Sequence, residues 1–199
     1  MPNADRLRPA VFLDRDGVLI EDVNLLVRPN QVQLTDGAAW AVETLKEAGY
    51  QVVVVSNQTV VARGMATEDD VVAVHDWIQH LLIAAQSLPI DAFYFCPHHP
   101  NATLPQYRVV CQCRKPRPGL LLQAAAERDI DLVRSYMVGD RITDIIAGQR
   151  AGCQTILIES GRHLDPLIES LDPIDPLCRP DFVCADLRQA ACLILGGRS

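Results

Sequence analysis

The chain has 199 residues, 49% of them hydrophobic and 22% charged, which is ordinary globular composition and enough for one substantial core. Its 25 acidic against 18 basic residues leave a net charge of −7 with no long basic run, which argues against a nucleic-acid groove or an anionic membrane surface and for a small-molecule partner. No apolar run reaches the roughly 18 to 20 residues of a membrane span, and the opening "MPNADRLRP" lacks the apolar core of a signal peptide, so a cytoplasmic protein with a single domain over 1–199 is expected.

In chain order, apolar runs at 10–13, 52–55, 92–95, 136–138 and 155–158 read as buried strands, rich in β-branched and aromatic residues. Residues 38–48 carry apolar positions at helical spacing and stop at Gly49. Thr67 and Asp70 are spaced as a capping box for a helix over 67–86, and Pro118 suits the first turn of a helix over 119–128. A last strand and helix fall at 182–183 and 186–195. This alternation predicts an α/β fold with a doubly wound, mostly parallel sheet and helices on both faces. Two segments fall outside it: 18–35 reads as a loop or small hairpin, and the proline-rich 161–180 as an irregular surface excursion.

In such sheets ligands bind beyond the carboxyl ends of the strands. Asp14 and Asp16 follow the first strand, with Gly17 next; Ser56, Asn57 and Gln58 follow the second; Lys115 precedes a helix; Asp140 and Asp144 follow the fourth. Any one of these alone is ordinary turn, cap or surface chemistry. Together, in order along one sheet edge, they are what phosphoryl transfer asks for. A carboxylate can attack phosphorus, a hard divalent cation held by carboxylates offsets the charge repulsion, and hydroxyl, amide and ammonium donors hold the phosphoryl oxygens. Two like charges one residue apart at an apolar strand end also call for a cation between them, and Mg2+ suits the oxygen ligands.

Three of the seven cysteines crowd between 96 and 113. Cys96, His98, Cys111 and Cys113 make a sufficient tetrahedral shell for Zn2+, with His99 the rival for the imidazole position. Four protein ligands leave no open position, so this zinc is structural, and it would fix Arg114 and Lys115 just after its last ligand. The odd cysteine count and the missing export signal argue against a disulfide framework, and Cys153, Cys178, Cys184 and Cys192 show no spacing for a second metal.

"FLDRDG", "VVVSNQ", "RKPRPG" and "MVGDRITD", in this order, resemble the four motifs of the haloacid dehalogenase superfamily of phosphatases. That resemblance implies Asp14 as nucleophile and Mg2+ ligand, and Asp16 as general acid and base, binding the metal through its backbone carbonyl. It further implies Asp140 as the second carboxylate ligand, Asp144 as a supporting acid, and Ser56 and Lys115 as holders of the phosphoryl group, with Asn57 and Gln58 among the substrate contacts. "CPHHP" followed by "CQCRKPRPG" resembles the D-glycero-D-manno-heptose 1,7-bisphosphate 7-phosphatases, a branch related to histidinol-phosphate phosphatases. From this come a capless, monomeric enzyme, a sugar bisphosphate as substrate, and Arg114 and Arg141 as substrate contacts. Histidinol phosphate or another small phosphomonoester is the alternative substrate.

The branch commonly has a threonine and a glycine where this chain has Val18 and Val60, and both valines are expected close to the substrate. Two rival classes are weighed against the enzyme. A receiver-type signalling domain needs an aspartate after its third strand, where this chain has Cys96; a zinc-stabilised binding module with decayed strand ends would lack turnover.

Overall fold

The computed structural model describes residues 7–160 and 178–196, so most of the proline-rich excursion expected over 161–180 lies outside the described residues. Six strands form one sheet: β1 (Ala10–Leu13), β2 (Gln51–Asn57), β3 (Ala92–Cys96), β4 (Tyr136–Gly139), β5 (Gln154–Ile158) and β6 (Phe182–Cys184). Their order is β3-β2-β1-β4-β5-β6 and every pairing is parallel, so the sheet is fully rather than mostly parallel. The strand order reverses at β1, so the chain leaves the paired carboxyl ends of β1 and β4 towards opposite edges of the sheet, which is where such sheets form a ligand-binding crevice.

Alternation along the strands divides the core in two. Val11, Leu13, Val52, Val54 and Val138 point to the face covered by α1 (Ala38–Glu47), α3 (Glu68–Ala84) and α6 (Leu187–Gly196). Ala10, Phe12, Val53, Val55 and Met137 point to the face covered by α4 (Gly119–Arg128) and α5 (Ile142–Ala151). All ten of these strand side chains are fully buried, as expected of a parallel sheet covered on both faces. Truncating Phe12 to alanine would cost about 3–5 kcal/mol.

The Thr67–Asp70 capping box forms as its spacing predicts: the Asp70 N–H donates to Thr67 Oγ1 at 3.1 Å and the Thr67 N–H to Asp70 Oδ2 at 2.8 Å. Pro118 stands one position earlier than expected, as the N-cap of α4. Residues 18–35 fold as a small hairpin, with Ile20 bridging antiparallel to Leu34. Two helices have no counterpart in the sequence reading. One is the single turn α2 (Thr59–Ala62); the other is α5, whose Gly148 permits close approach to Met137 and Thr155 on the sheet.

Candidate active site

The ends of β1 and β4 and the first turn of α5 bring Asp14, Asp140 and Asp144 together, all buried, with carboxylate oxygens within 4.8 Å of one another. Gly17 makes this approach possible. It takes φ +79°, and a Cβ there would collide with the Asp140 carboxylate. Gly139 plays the same part for Asp144, whose side chain occupies the space a Cβ would fill.

Lys115 is 3% exposed and its ammonium lies 3.0 Å from Asp14 Oδ1 and 2.6 Å from Asp144 Oδ1. Burial opposes its charge, but the two carboxylates outweigh that and raise its pKa. One lysine does not balance three buried carboxylates. Burial pushes Asp14 up to about 8 against the pull of Lys115, and burial with Asp144 pushes Asp140 up to about 6. Asp140 Oδ1 is buried without a hydrogen-bond partner, while Oδ2 accepts from Ser160 at 2.8 Å. A buried oxygen with no donor, in a cluster short of positive charge, is the environment a hard divalent cation fits, and the all-oxygen donor set suits Mg2+.

On Asp14 both protein contacts fall on Oδ1, which accepts from the Arg15 N–H at 2.7 Å and pairs with Lys115. Oδ2 is left for chemistry. The Asp16 carboxylate turns away from this cluster. It pairs with the Arg15 guanidinium at 2.9 Å and accepts from Gln58 Nε2 at 3.2 Å. The two aspartates that sequence reasoning places around one cation are thus served by different side chains, Lys115 for Asp14 and Arg15 for Asp16. Gln58 Nε2 also donates to Ser56 Oγ at 3.1 Å, so one amide spans the hydroxyl at the end of β2 and the Asp16 carboxylate.

Asn57, expected among the substrate contacts, does something else. Its Oδ1 accepts from the Lys115 N–H at 3.0 Å and its Nδ2 donates to the Lys115 carbonyl at 3.1 Å. Both ends of the amide clasp the main chain of Lys115, whose ammonium also donates to the Val55 carbonyl at 2.8 Å. Arg114 Nη1 donates to the His98 carbonyl at 3.1 Å, and Arg141 Nη2 reaches 3.9 Å from Asp22 across the crevice mouth. Val18 and Val60, expected beside the substrate, are 1% and 4% exposed. Val18 packs in the core under α1; Val60 sits in the turn α2 against Val61, Val71 and Phe95. Val60 lies in helical backbone with φ outside the left-handed region, so its β-branch meets no backbone conflict there.

The thiolate cluster also assembles. Cys113 Sγ lies 3.1 Å from both Cys96 and Cys111 Sγ, Cys96 and Cys111 are 3.5 Å apart, and His98 Nδ1 is 3.4 Å from Cys113. Tetrahedral zinc with ligand bonds of about 2.3 Å places its sulfurs roughly 3.7 Å apart, so a small expansion accommodates the ion. Hydrogen bonding between Cys96 and Cys113 pulls Cys113 down to about 5 and pushes Cys96 up. His98 is the imidazole of the cluster. The rival His99 turns its Nδ1 to the Asn101 N–H at 3.0 Å.

Arg15 and His75 are absent from the sequence reading. Arg15 lies between the two aspartates and is 2% exposed, and His75 on α3 is 5% exposed with its ring stacked on Phe93. A cation flanked by two acids at a buried strand end was the available signal for the first; nothing in the local sequence marks the second.

Residues 112–190 match the family described as "HAD-hyrolase-like". A D-glycero-beta-D-manno-heptose-1,7-bisphosphate 7-phosphatase of Yersinia pestis is 42% identical over 155 residues, 77% of this chain and 82% of that one. A protein of the same name from Rhodopseudomonas palustris is 40% identical over 164 residues, 82% of this chain and 90% of that one. The crystal structure of D,D-heptose 1.7-bisphosphate phosphatase from B. bronchiseptica, complexed with magnesium and phosphate, aligns with a TM-score of 0.78 at 31% identity, covering 95% of this chain and 99% of that one. With a fully parallel sheet, acidic strand ends and relatives of this identity and coverage, the chain belongs to the D-glycero-beta-D-manno-heptose-1,7-bisphosphate 7-phosphatase family of haloacid dehalogenase-like phosphatases.

Proposed function

We propose that this chain removes the 7-phosphate of D-glycero-D-manno-heptose 1,7-bisphosphate through an aspartyl-phosphate on Asp14. The observation that carries the reading is Asp14 itself: one oxygen pinned by Arg15 N–H and Lys115, the other open at the carboxyl edge of the sheet.

In the first step Asp14 Oδ2 attacks phosphorus as the ester P–O bond breaks, and the leaving alkoxide takes the proton of Asp16. In the second, Asp16 removes a proton from water as the water oxygen attacks the same phosphorus. Cleavage of the bond between phosphorus and Asp14 then releases inorganic phosphate and restores the carboxylate. Lys115 and Ser56 hold the phosphoryl oxygens, and Gln58 keeps Ser56 and Asp16 in one frame. Mg2+ would be held by Asp14, Asp140 and the backbone carbonyl of Asp16, and when bound it supplies the positive charge that offsets repulsion between Asp14 and the phosphate. Arg114 and Arg141, at the crevice mouth, are the groups for the rest of the substrate, including a second phosphate. Zn2+ on Cys96, His98, Cys111 and Cys113 is structural and fixes the loop from which Arg114 and Lys115 project.

The test is Mg2+-dependent phosphate release from both anomers of heptose 1,7-bisphosphate, histidinol phosphate, simple sugar phosphates and an aryl phosphate. Preference for a heptose bisphosphate supports the proposal. Preference for histidinol phosphate moves the substrate and keeps the mechanism, whereas no turnover on any of them favours a zinc-stabilised binding module.

A further inference from the structure

Arg15 is the largest fully buried side chain of the molecule's described residues and is charged, which calls for a reason. Its guanidinium forks onto the neighbouring carboxylate, Nε donating to Asp16 Oδ2 at 3.1 Å and Nη2 to Asp16 Oδ1 at 3.0 Å. The pair is buried on the Arg15 side and 26% exposed on the Asp16 side, and it contributes little net stability, because desolvation of the guanidinium offsets the attraction. A fork does fix direction, since a planar guanidinium meets a carboxylate in one orientation.

The third nitrogen, Nη1, is buried without a partner, and so is Nε2 of His75. These are a donor and, in the neutral ring, an acceptor. His75 is wedged between Phe93, stacked at 4.5 Å, and Phe95, edge-on at 5.7 Å, which leaves the ring no freedom to turn to water. The Arg15 charge reaches it, and together with burial it keeps the imidazole neutral at ordinary pH.

We propose that Arg15 is a positioning residue for Asp16, and that His75 completes the mount by accepting, through one buried water, from Arg15 Nη1. The inference rests on the phosphatase reading and deepens it, because it says what aims the acid that protonates the leaving oxygen. Asp16 is then held at both oxygens by Arg15 and at one by Gln58, and its approach to the leaving group is set from behind by α3 rather than by the metal cluster in front. Neither Arg15 nor His75 touches substrate.

An aryl phosphate with a good leaving group scarcely needs the proton of Asp16, while a sugar phosphate depends on it, so kcat/KM on the two substrates separates positioning from folding. Arg15→Gln is expected to lower kcat/KM on the sugar phosphate about a hundredfold and on the aryl phosphate less than about fivefold. His75→Phe keeps the stack and removes the acceptor, with an expected loss of about tenfold confined to the sugar phosphate; His75→Gln restores an acceptor and recovers most of it. His75→Phe guards against an Arg15 variant that does not fold, and thermal melts identify that case. Equal losses on both substrates, or none, would overturn the positioning role while the wild type stays active. A wild type inactive on both would overturn the phosphatase reading and this inference with it.

Discussion

The two polar clusters of this molecule are built in opposite ways. Asp14 and Asp140 follow strands packed in the core and Asp144 sits in the first turn of α5, so the scaffold holds the three carboxylates in place and strains their charge. Cys96, His98, Cys111 and Cys113 hang mostly on a loop with little core of its own, where Val109 and Val110 are 43% and 59% exposed. In the first the fold imposes geometry on the ligands; in the second the ligands impose geometry on the loop. Removing a ligand should therefore cost activity in one region and structure in the other.

The sharpest contrast is Asp14→Asn. It should cut phosphate release by at least about a thousandfold, while the thermal midpoint holds or rises because a buried like charge is gone. Residual turnover above a few per cent would break the nucleophile assignment. Cys111→Ser should behave in reverse: elemental analysis finds the zinc lost, and stability falls by on the order of several kcal/mol. A variant that keeps its zinc would dissolve the comparison.

Behind the carboxylate side, burial and then Arg15 pull His75 from 6.5 down to about 3. The unfolded chain takes up a proton there that the folded chain refuses, so stability present above about pH 6.5 is lost as pH falls towards 3. His75→Phe should flatten that slope in denaturant titrations, an effect on the order of a few kcal/mol across the window. An unchanged slope would mean that other groups carry the acid sensitivity.

The smallest effect tests the joint between the two regions. Asn57→Ala removes both bonds to the Lys115 main chain and should lower kcat/KM about tenfold, or ~1.4 kcal/mol, with zinc content unchanged. Zinc loss in this variant would show that the two clusters are not separable.

Much of this was legible in the sequence, for identifiable reasons. Buried parallel strands read as short apolar runs, so β1 and β4 appear within a residue of their bounds, and Asp14 and Asp140 stand just past them. The helix α5 escaped because Gly148 and its isoleucines score poorly for a helix, though that glycine is what lets it lie against Met137. The hold of Asn57 on the Lys115 main chain could not be read, because its partner lies 58 residues away, beyond any local pattern. The burial of Val18 and Val60 is likewise a tertiary property, set by what packs over them. His75 offers no local signal, since its relation to Arg15 exists only once α3 crosses the sheet.

The position of β1 also governs how the protein comes into being. The strand bearing Asp14 is translated first yet ends with β2 on one edge and β4 on the other. A nascent chain must keep that strand waiting, one flank open, until residues 136–139 have emerged, and an open apolar flank invites pairing with another chain. Premature termination between β2 and β4 therefore yields not a weaker enzyme but an aggregation hazard, and Asp14 gains its acidic neighbours only after most of the chain has left the ribosome.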